Sequence, residues 1–170
     1  MGIRNLIFLF VILTTSHPSF TQTGINTQWY WAHGEYSVNQ PGIYVYNPQH
    51  PWLMPGARSR AASWTASNGD LWLYGGEGYD ANGSHGYLSD LWKFSVNHWV
   101  FVKGDNIRDV VVNYGIKGVP ANSNNPGARS GCVSWKDANG NLWLFGGVFA
   151  GPANWEFQND LWKYDPTLNQ

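Results

Sequence analysis

Asp70-Leu71-Trp72-Leu73-Tyr74-Gly75-Gly76 and Asn141-Leu142-Trp143-Leu144-Phe145-Gly146-Gly147 are one phrase written twice in a chain of 170 residues. The neighbouring phrases recur in the same order. Pro55-Gly56-Ala57-Arg58-Ser59 returns as Pro126-Gly127-Ala128-Arg129-Ser130, and Ser89-Asp90-Leu91-Trp92-Lys93-Phe94 as Asn159-Asp160-Leu161-Trp162-Lys163-Tyr164. The offset stays at about 70 residues, a distance that marks repeated supersecondary units. Such a unit buries its apolar face against a neighbouring copy, and two copies are few for a stable stack.

Aromatic residues make up 16% of the chain and charged residues only 12%. With 11 tryptophans and 20 glycines, this composition points to aromatic-packed β-structure with tight turns. Net charge is −1 with no Lys/Arg cluster, so a nucleic-acid or anionic-membrane surface has no electrostatic basis. Residues 1–21 read as an export signal: Arg4, an apolar run from Leu6 to Leu13, then Ser19-Phe20-Thr21 as a small-x-small cleavage site. The apolar run is too short to span a bilayer, and no later segment is long and apolar enough for a transmembrane helix. The expected location is therefore secreted, periplasmic or cell-surface. The single Cys132 forms no intramolecular disulfide, so stability must come from packing.

In the second copy, Ser130 to Lys136 predicts a first strand and Asp137-Ala138-Asn139-Gly140 a turn. Leu142 to Phe145 predicts a second strand, apolar throughout and so covered on both faces. Gly146-Gly147 ends it, a loop runs from Val148 to Gln158, and Leu161 to Tyr164 makes a third strand. The first copy supplies a fourth: after Asp90 to Phe94 comes a turn at Ser95-Val96-Asn97, then His98 to Val102. Trp29-Tyr30-Trp31-Ala32-His33-Gly34 echoes the Trp99 to Gly104 stretch 70 residues on, and reads as the last strand of an incomplete unit. Four antiparallel strands per repeat describe a propeller blade.

These residues resemble the kelch repeat family. The doublets Gly75-Gly76 and Gly146-Gly147, the downstream Trp92 and Trp162, and the closing Trp99 match its signature. The wording is similar to secreted bacterial kelch proteins of the galactose oxidase central-domain type. The resemblance spans residues 29 to 170 and implies an all-β fold: about two four-stranded blades of an incomplete kelch-type β-propeller. The expected organisation of residues 22–170 is a last strand plus connection at 24–54, a blade at 55–104, a connection at 105–125, and a blade at 126–170 that stops before its fourth strand. The sequence thus reads as an N-terminal fragment, with further blades expected from the rest of the chain.

In a four-stranded meander, the loop between strands 2 and 3 and the connection to the next unit emerge at one end. The segments there are long: Glu77 to Tyr87, Val148 to Gln158, Glu35 to Leu53 and Asp105 to Asn125. They also differ most between copies, as binding loops on repeat proteins do. Tyr79, His85, Tyr87, Phe149 and Trp155 are the candidate contacts for a protein or glycan ligand.

The paired tryptophans Trp64/Trp135, Trp72/Trp143 and Trp92/Trp162 read as core, with indoles filling gaps between units and donating N–H to backbone carbonyls. Arg58/Arg129 and Asp90/Asp160 read as a repeated internal ion pair or Arg–carbonyl bridge that fixes register, in preference to substrate recognition in a central channel, because they recur once per copy. The five histidines share no register and make no metal spacing, and no cofactor is expected. The galactose oxidase likeness implies a copper-radical alternative with ligands in missing blades. Here Cys132 aligns with Ala61, a small-residue slot, and no histidine matches. The Ser134 to Trp143 stretch misses sialidase Asp-box spacing, Asp80 and Asp137 lack further acidic calcium ligands, and Glu35, Glu77 and Glu156 form no acid/base pair. No phosphate-binding loop, dinucleotide fingerprint or nucleophile elbow is present. A secreted, non-catalytic binding or scaffold module is the leading expectation, and a purely structural scaffold carrying other domains downstream is equally open from these residues.

Overall fold

Alternation of large apolar residues along short segments, punctuated by Gly and Asn-Gly turns, produces an all-β chain. A computed structural model describes residues 29–46, 52–150 and 155–169, with the side chains of Ala150 and Trp155 excepted. The expected export signal, His17 and His50 lie outside the described residues.

Among the described residues, twelve strands form four antiparallel sheets of two to four strands. In the first copy, β2 (Ala62–Thr65), β3 (Leu71–Tyr74), β6 (Leu91–Ser95) and β7 (His98–Lys103) make a four-stranded sheet, in the order β2-β3-β6-β7. In the second, β8 (Val133–Lys136), β9 (Leu142–Phe145) and β12 (Leu161–Tyr164) make a three-stranded sheet, in which β9 lies between β8 and β12. The expected first strand of that copy starts later than read, at Val133, because Ser130 instead bridges to Val148. Trp29 to Gly34, read as a strand, takes part in no strand.

The stretches read as loops contain β-ribbons. In the first copy β4 (Glu77–Tyr79) pairs with β5 (His85–Tyr87), and β1 (Arg58–Ser59) adds to β4. In the second, β10 (Val148–Ala150) pairs with β11 (Trp155–Phe157). Three-residue strands are too short for alternation to show in sequence, so only backbone pairing reveals them.

Register fixes which residues share a face, since directly opposed residues project together. The pairs Ala62↔Tyr74, Trp64↔Trp72 and Tyr74↔Leu91 define the front of the first sheet. Their counterparts Val133↔Phe145, Trp135↔Trp143 and Phe145↔Leu161 define the front of the second. The first front packs onto the back of the second sheet. Ala62, Trp64, Trp72, Tyr74 and Leu91 form one buried cluster with Leu142 and Leu144, flanked by Trp162 and Tyr164. The Trp64 indole N–H donates across the gap to the Trp135 and Trp143 carbonyls, at 3.0 and 3.1 Å. This is the between-unit role expected for the indole.

The expectation that Leu142 to Phe145 is covered on both faces is corrected. Leu142 and Leu144 are buried, but Phe145 is 42% exposed, and Trp135 beside it, expected in the core, is 43% exposed. In the first copy the same strand buries the opposite set, Trp72 and Tyr74, and leaves Leu71 exposed. Each sheet is covered where a neighbour lies, so identical wording yields opposite burial.

Candidate functional site

The glycine doublets set the geometry at one end of each sheet. Gly75 and Gly76 have φ of 62° and 98°, and Gly146 and Gly147 have 66° and 98°, a backbone that side-chain-bearing residues avoid. A Cβ on Gly75 would lie 2.7 Å from the Arg129 carbonyl oxygen and 2.9 Å from that of Leu88. The close approach allows Gly76 N–H to donate to the Arg129 carbonyl, while Arg129 N–H donates to Leu88. The doublet thereby stitches the first copy to the second.

Under each doublet lies an ion pair. Arg58 Nη1 and Nη2 donate to Asp90 Oδ1 and Oδ2 at 2.6 and 2.7 Å, and Nη1 also reaches the Gly75 carbonyl at 3.0 Å. The Trp92 indole and the Tyr44 hydroxyl donate to Asp90 Oδ2 at 2.5 and 2.6 Å. In the second copy Arg129 grips Asp160 at 2.7 and 3.0 Å and the Gly146 carbonyl at 3.0 Å, while the Trp162 indole donates to Asp160 at 2.7 Å. Both guanidiniums are nearly inaccessible, so neither can meet a solvent-borne ligand.

Tyr44 is a participant that sequence reading missed. Its hydroxyl proton is held tightly, because burial and then the Asp90 charge raise its pKa far above the ordinary value. Its counterpart Tyr114 stacks on Trp162, with centroids 5.7 Å apart and an interplanar angle of 20°. The signal was the same 70-residue offset, hidden by unlike neighbours.

Burial by itself would raise the Asp160 pKa, but the Arg129 guanidinium and the Trp162 N–H outweigh it and hold the carboxyl below its ordinary value. A depressed folded-state pKa gives stability that is present above the unfolded carboxylate value of about 4 and lost as pH falls through the folded value. Urea midpoints should therefore drop on acidification below about pH 4. Asp160→Asn should flatten that part of the profile, and an unchanged slope would count against the ion pair.

The ribbons rise just past the doublets, and they are neighbours: β10 lies against β5. The connection from residue 105 onward packs onto the first ribbon. Ala81 N–H donates to Asn106, Asp109 N–H to Tyr87, and Arg108 N–H to the Asp80 carboxylate. Asp80 also accepts from the N–H groups of Asn82 and Ser84, so its carboxylate is used in shaping the turn. Asp137 does the same in its hairpin. Hydrogen bonds, first from the Asn141 side chain and then from the Trp143 indole, push its pKa down to about 2.

Among the candidate contacts, Tyr79 and His85 come together across β4 and β5, rings edge-on at 5.3 Å, with the His85 side chain exposed and 3.9 Å from Glu77. Arg60 reaches the same carboxylate at 3.4 Å, giving a charged and aromatic rim. Phe149 sits half-buried on β10 opposite Glu156. The Trp155 backbone belongs to β11, and its side chain lies outside the described residues. Tyr87 is corrected: it is only 5% exposed, and its N–H is held by Asp109 at 2.9 Å, so it supports the ribbon from beneath. Phe157, 82% exposed at the end of β11, was missed although its register partner Val148 makes it the counterpart of Tyr87, which is buried in the first copy.

Cys132 lies against the Gly146 carbonyl at 3.3 Å, and burial pushes its thiol up to about 11. Among the described residues no group of three or more His, Cys, Asp or Glu side chains could hold a metal ion. No helix among them is long and apolar enough to cross a membrane.

No family model matches the chain, and no curated protein matches it. The solved structure of YjhT is similar in part, at 20% identity and a TM-score of 0.47. That alignment covers 69% of this chain and 37% of YjhT, so the chain spans little more than a third of it.

Proposed function

We propose that the chain is part of a secreted kelch-type β-propeller that serves as a non-catalytic binding module, with protein or glycan as ligand. Each repeated sheet then corresponds to a blade, β2-β3-β6-β7 complete and β8-β9-β12 carrying three strands. One observation carries the reading. The two sheets share register and internal ion pairs, whereas the adjoining ribbons at one end carry unlike, partly exposed side chains. A conserved frame within one chain with variable tips separates packing from recognition. Aromatic rings beside charged groups, as at Tyr79, His85, Glu77 and Arg60, suit sugar rings or a polar protein surface.

A glycan array and an exoproteome pull-down with the exported chain would test this. Ligands retained by the wild type should lose roughly 30-fold or more in affinity when Tyr79 and Phe149 are both alanine, as for aromatic hot spots. Undiminished binding by that variant would place recognition elsewhere.

A further inference from the structure

Arg60 holds a left-handed backbone, with φ of 53°, where the matching residue of the second copy is Gly131 at 68°. Glycine takes that conformation freely, whereas a side chain makes it unfavourable. The Gly131 N–H donates to the Arg60 carbonyl at 2.9 Å and ties that backbone to the second copy. The Arg60 side chain is itself 62% exposed, and its ion pair with Glu77 spans 3.4 Å at the surface. An exposed pair of that length contributes too little to offset the backbone. Strain kept at an exposed charged residue, where the other copy uses glycine, marks a side chain needed for something other than stability.

Three further replacements gather at the same spot. Glu77, Tyr79 and His85 occupy the ribbon positions at which the second copy has Val148, Ala150 and Trp155. Glu77 and Tyr79 stand two apart on β4, and His85 lies opposite Tyr79, so the three project from one face. The other face carries Gly78 opposite Gly86 and is packed against the body of the chain. A Cβ on Gly78 would collide with the Ala57 carbonyl, and one on Gly86 would lie 2.7 Å from Arg108 Cδ. A ribbon fixed on its glycine side thus presents a carboxylate flanked by Arg60 at 3.4 Å and His85 at 3.9 Å, with the Tyr79 ring alongside. The cluster lies wholly within residues 60–85, beside the second ribbon.

With His85 neutral, the charges of Arg60 and Glu77 cancel, so the face has no net attraction for an ionic ligand. Glu77 only accepts hydrogen bonds and Arg60 only donates them, side by side. Two adjacent hydroxyls of a sugar ring satisfy both, one donating to Glu77 and the other accepting from Arg60, while the C–H face of the ring lies on Tyr79. Two ribbon rungs measure roughly 7 by 5 Å. That matches a single sugar ring and falls far short of the roughly 800 Å² that a protein partner covers. We propose that Arg60, Glu77 and Tyr79 form a subsite for an uncharged sugar with two adjacent hydroxyls, and that the strained Arg60 backbone serves to place its guanidinium there. This rests on the binding-module reading and narrows its ligand to a neutral glycan.

The test uses the exported full chain on an array of glucose-, mannose- and galactose-terminated oligosaccharides, beside the corresponding uronates. Neutral members should be retained in preference to the uronates. Arg60→Gly, which installs the residue of the second copy, should raise the urea midpoint while weakening binding to the retained oligosaccharide roughly 10-fold. Glu77→Gln should weaken it by a similar factor with the midpoint unchanged. A merely structural role for Arg60 would move stability and leave affinity as it was. Wild-type affinity in both variants would overturn the subsite and leave the binding module standing. Retention of uronates alone, or of protein ligands alone, would do the same. An Arg60→Gly midpoint below that of the wild type would remove the strain on which the proposal stands and overturn it. A chain that retains neither glycans nor proteins would overturn the module reading and the subsite together.

Discussion

Asp90→Ala is expected to cost about 3–5 kcal/mol, enough to unfold a domain of ordinary stability, because it strands a buried charge. Asp90 is fully buried and the Arg58 side chain nearly so. The carboxylate accepts two guanidinium bonds, the Trp92 indole and the Tyr44 hydroxyl, so one truncation leaves four donors without their acceptor. Water cannot reach them without opening the sheet. Urea unfolding followed by tryptophan fluorescence reads the loss directly. The double variant Arg58→Met/Asp90→Leu separates pairing from mere bulk. It removes both charges together, and such replacements are often close to neutral. If the single and double variants are equally destabilised, packing around Trp92 and not the unpaired guanidinium is responsible.

Trp64→Ala carries the second large expected effect, about 3–5 kcal/mol for a truncated core aromatic. Trp64 is 8% exposed and bridges the sheets through its N–H to the Trp135 and Trp143 carbonyls. Trp64→Phe keeps most of the ring area and loses the bridge, for about 1 kcal/mol. Trp135→Ala, the same position in the second copy, should cost about 1 kcal/mol or less, because it gives up chiefly its stacking on Trp143, centroids 6.1 Å apart. Equal losses at Trp64 and Trp135 would contradict the one-sided covering of the sheets.

Much of the sheet arrangement was legible because the repeat supplied two readings of each element. Leu71 to Tyr74 and Leu142 to Phe145 both became central strands, and the recurring Arg and Asp met as an internal pair in each copy. Which face each strand buries was not legible. A fully apolar run carries no alternation, and the answer lies in whether another sheet happens to face it. That is why Trp64 is buried and Trp135 is not. The ribbons escaped notice for a different reason. Glu77–Tyr79 and His85–Tyr87 are three residues each and include a glycine, so they carry no strand period. Tyr87 was misjudged with them: a tyrosine in a variable stretch resembles a contact, but here the Asp109 carboxylate and the connection after β7 cover it. Tyr44 and Tyr114 show the reverse case, a recurrence at the right offset that unlike flanking residues concealed.

Hydrogen exchange at the indole N–H groups, read by NMR on dilute chain, tests the repeated-sheet account most directly. Trp64, Trp92 and Trp162 should exchange slowly, since each donates to a backbone carbonyl or a carboxylate within the packed sheets, while Trp135 should exchange near the rate of free indole. Comparable rates at Trp64 and Trp135 would mean that the first sheet does not stack on the second, and the account would fail.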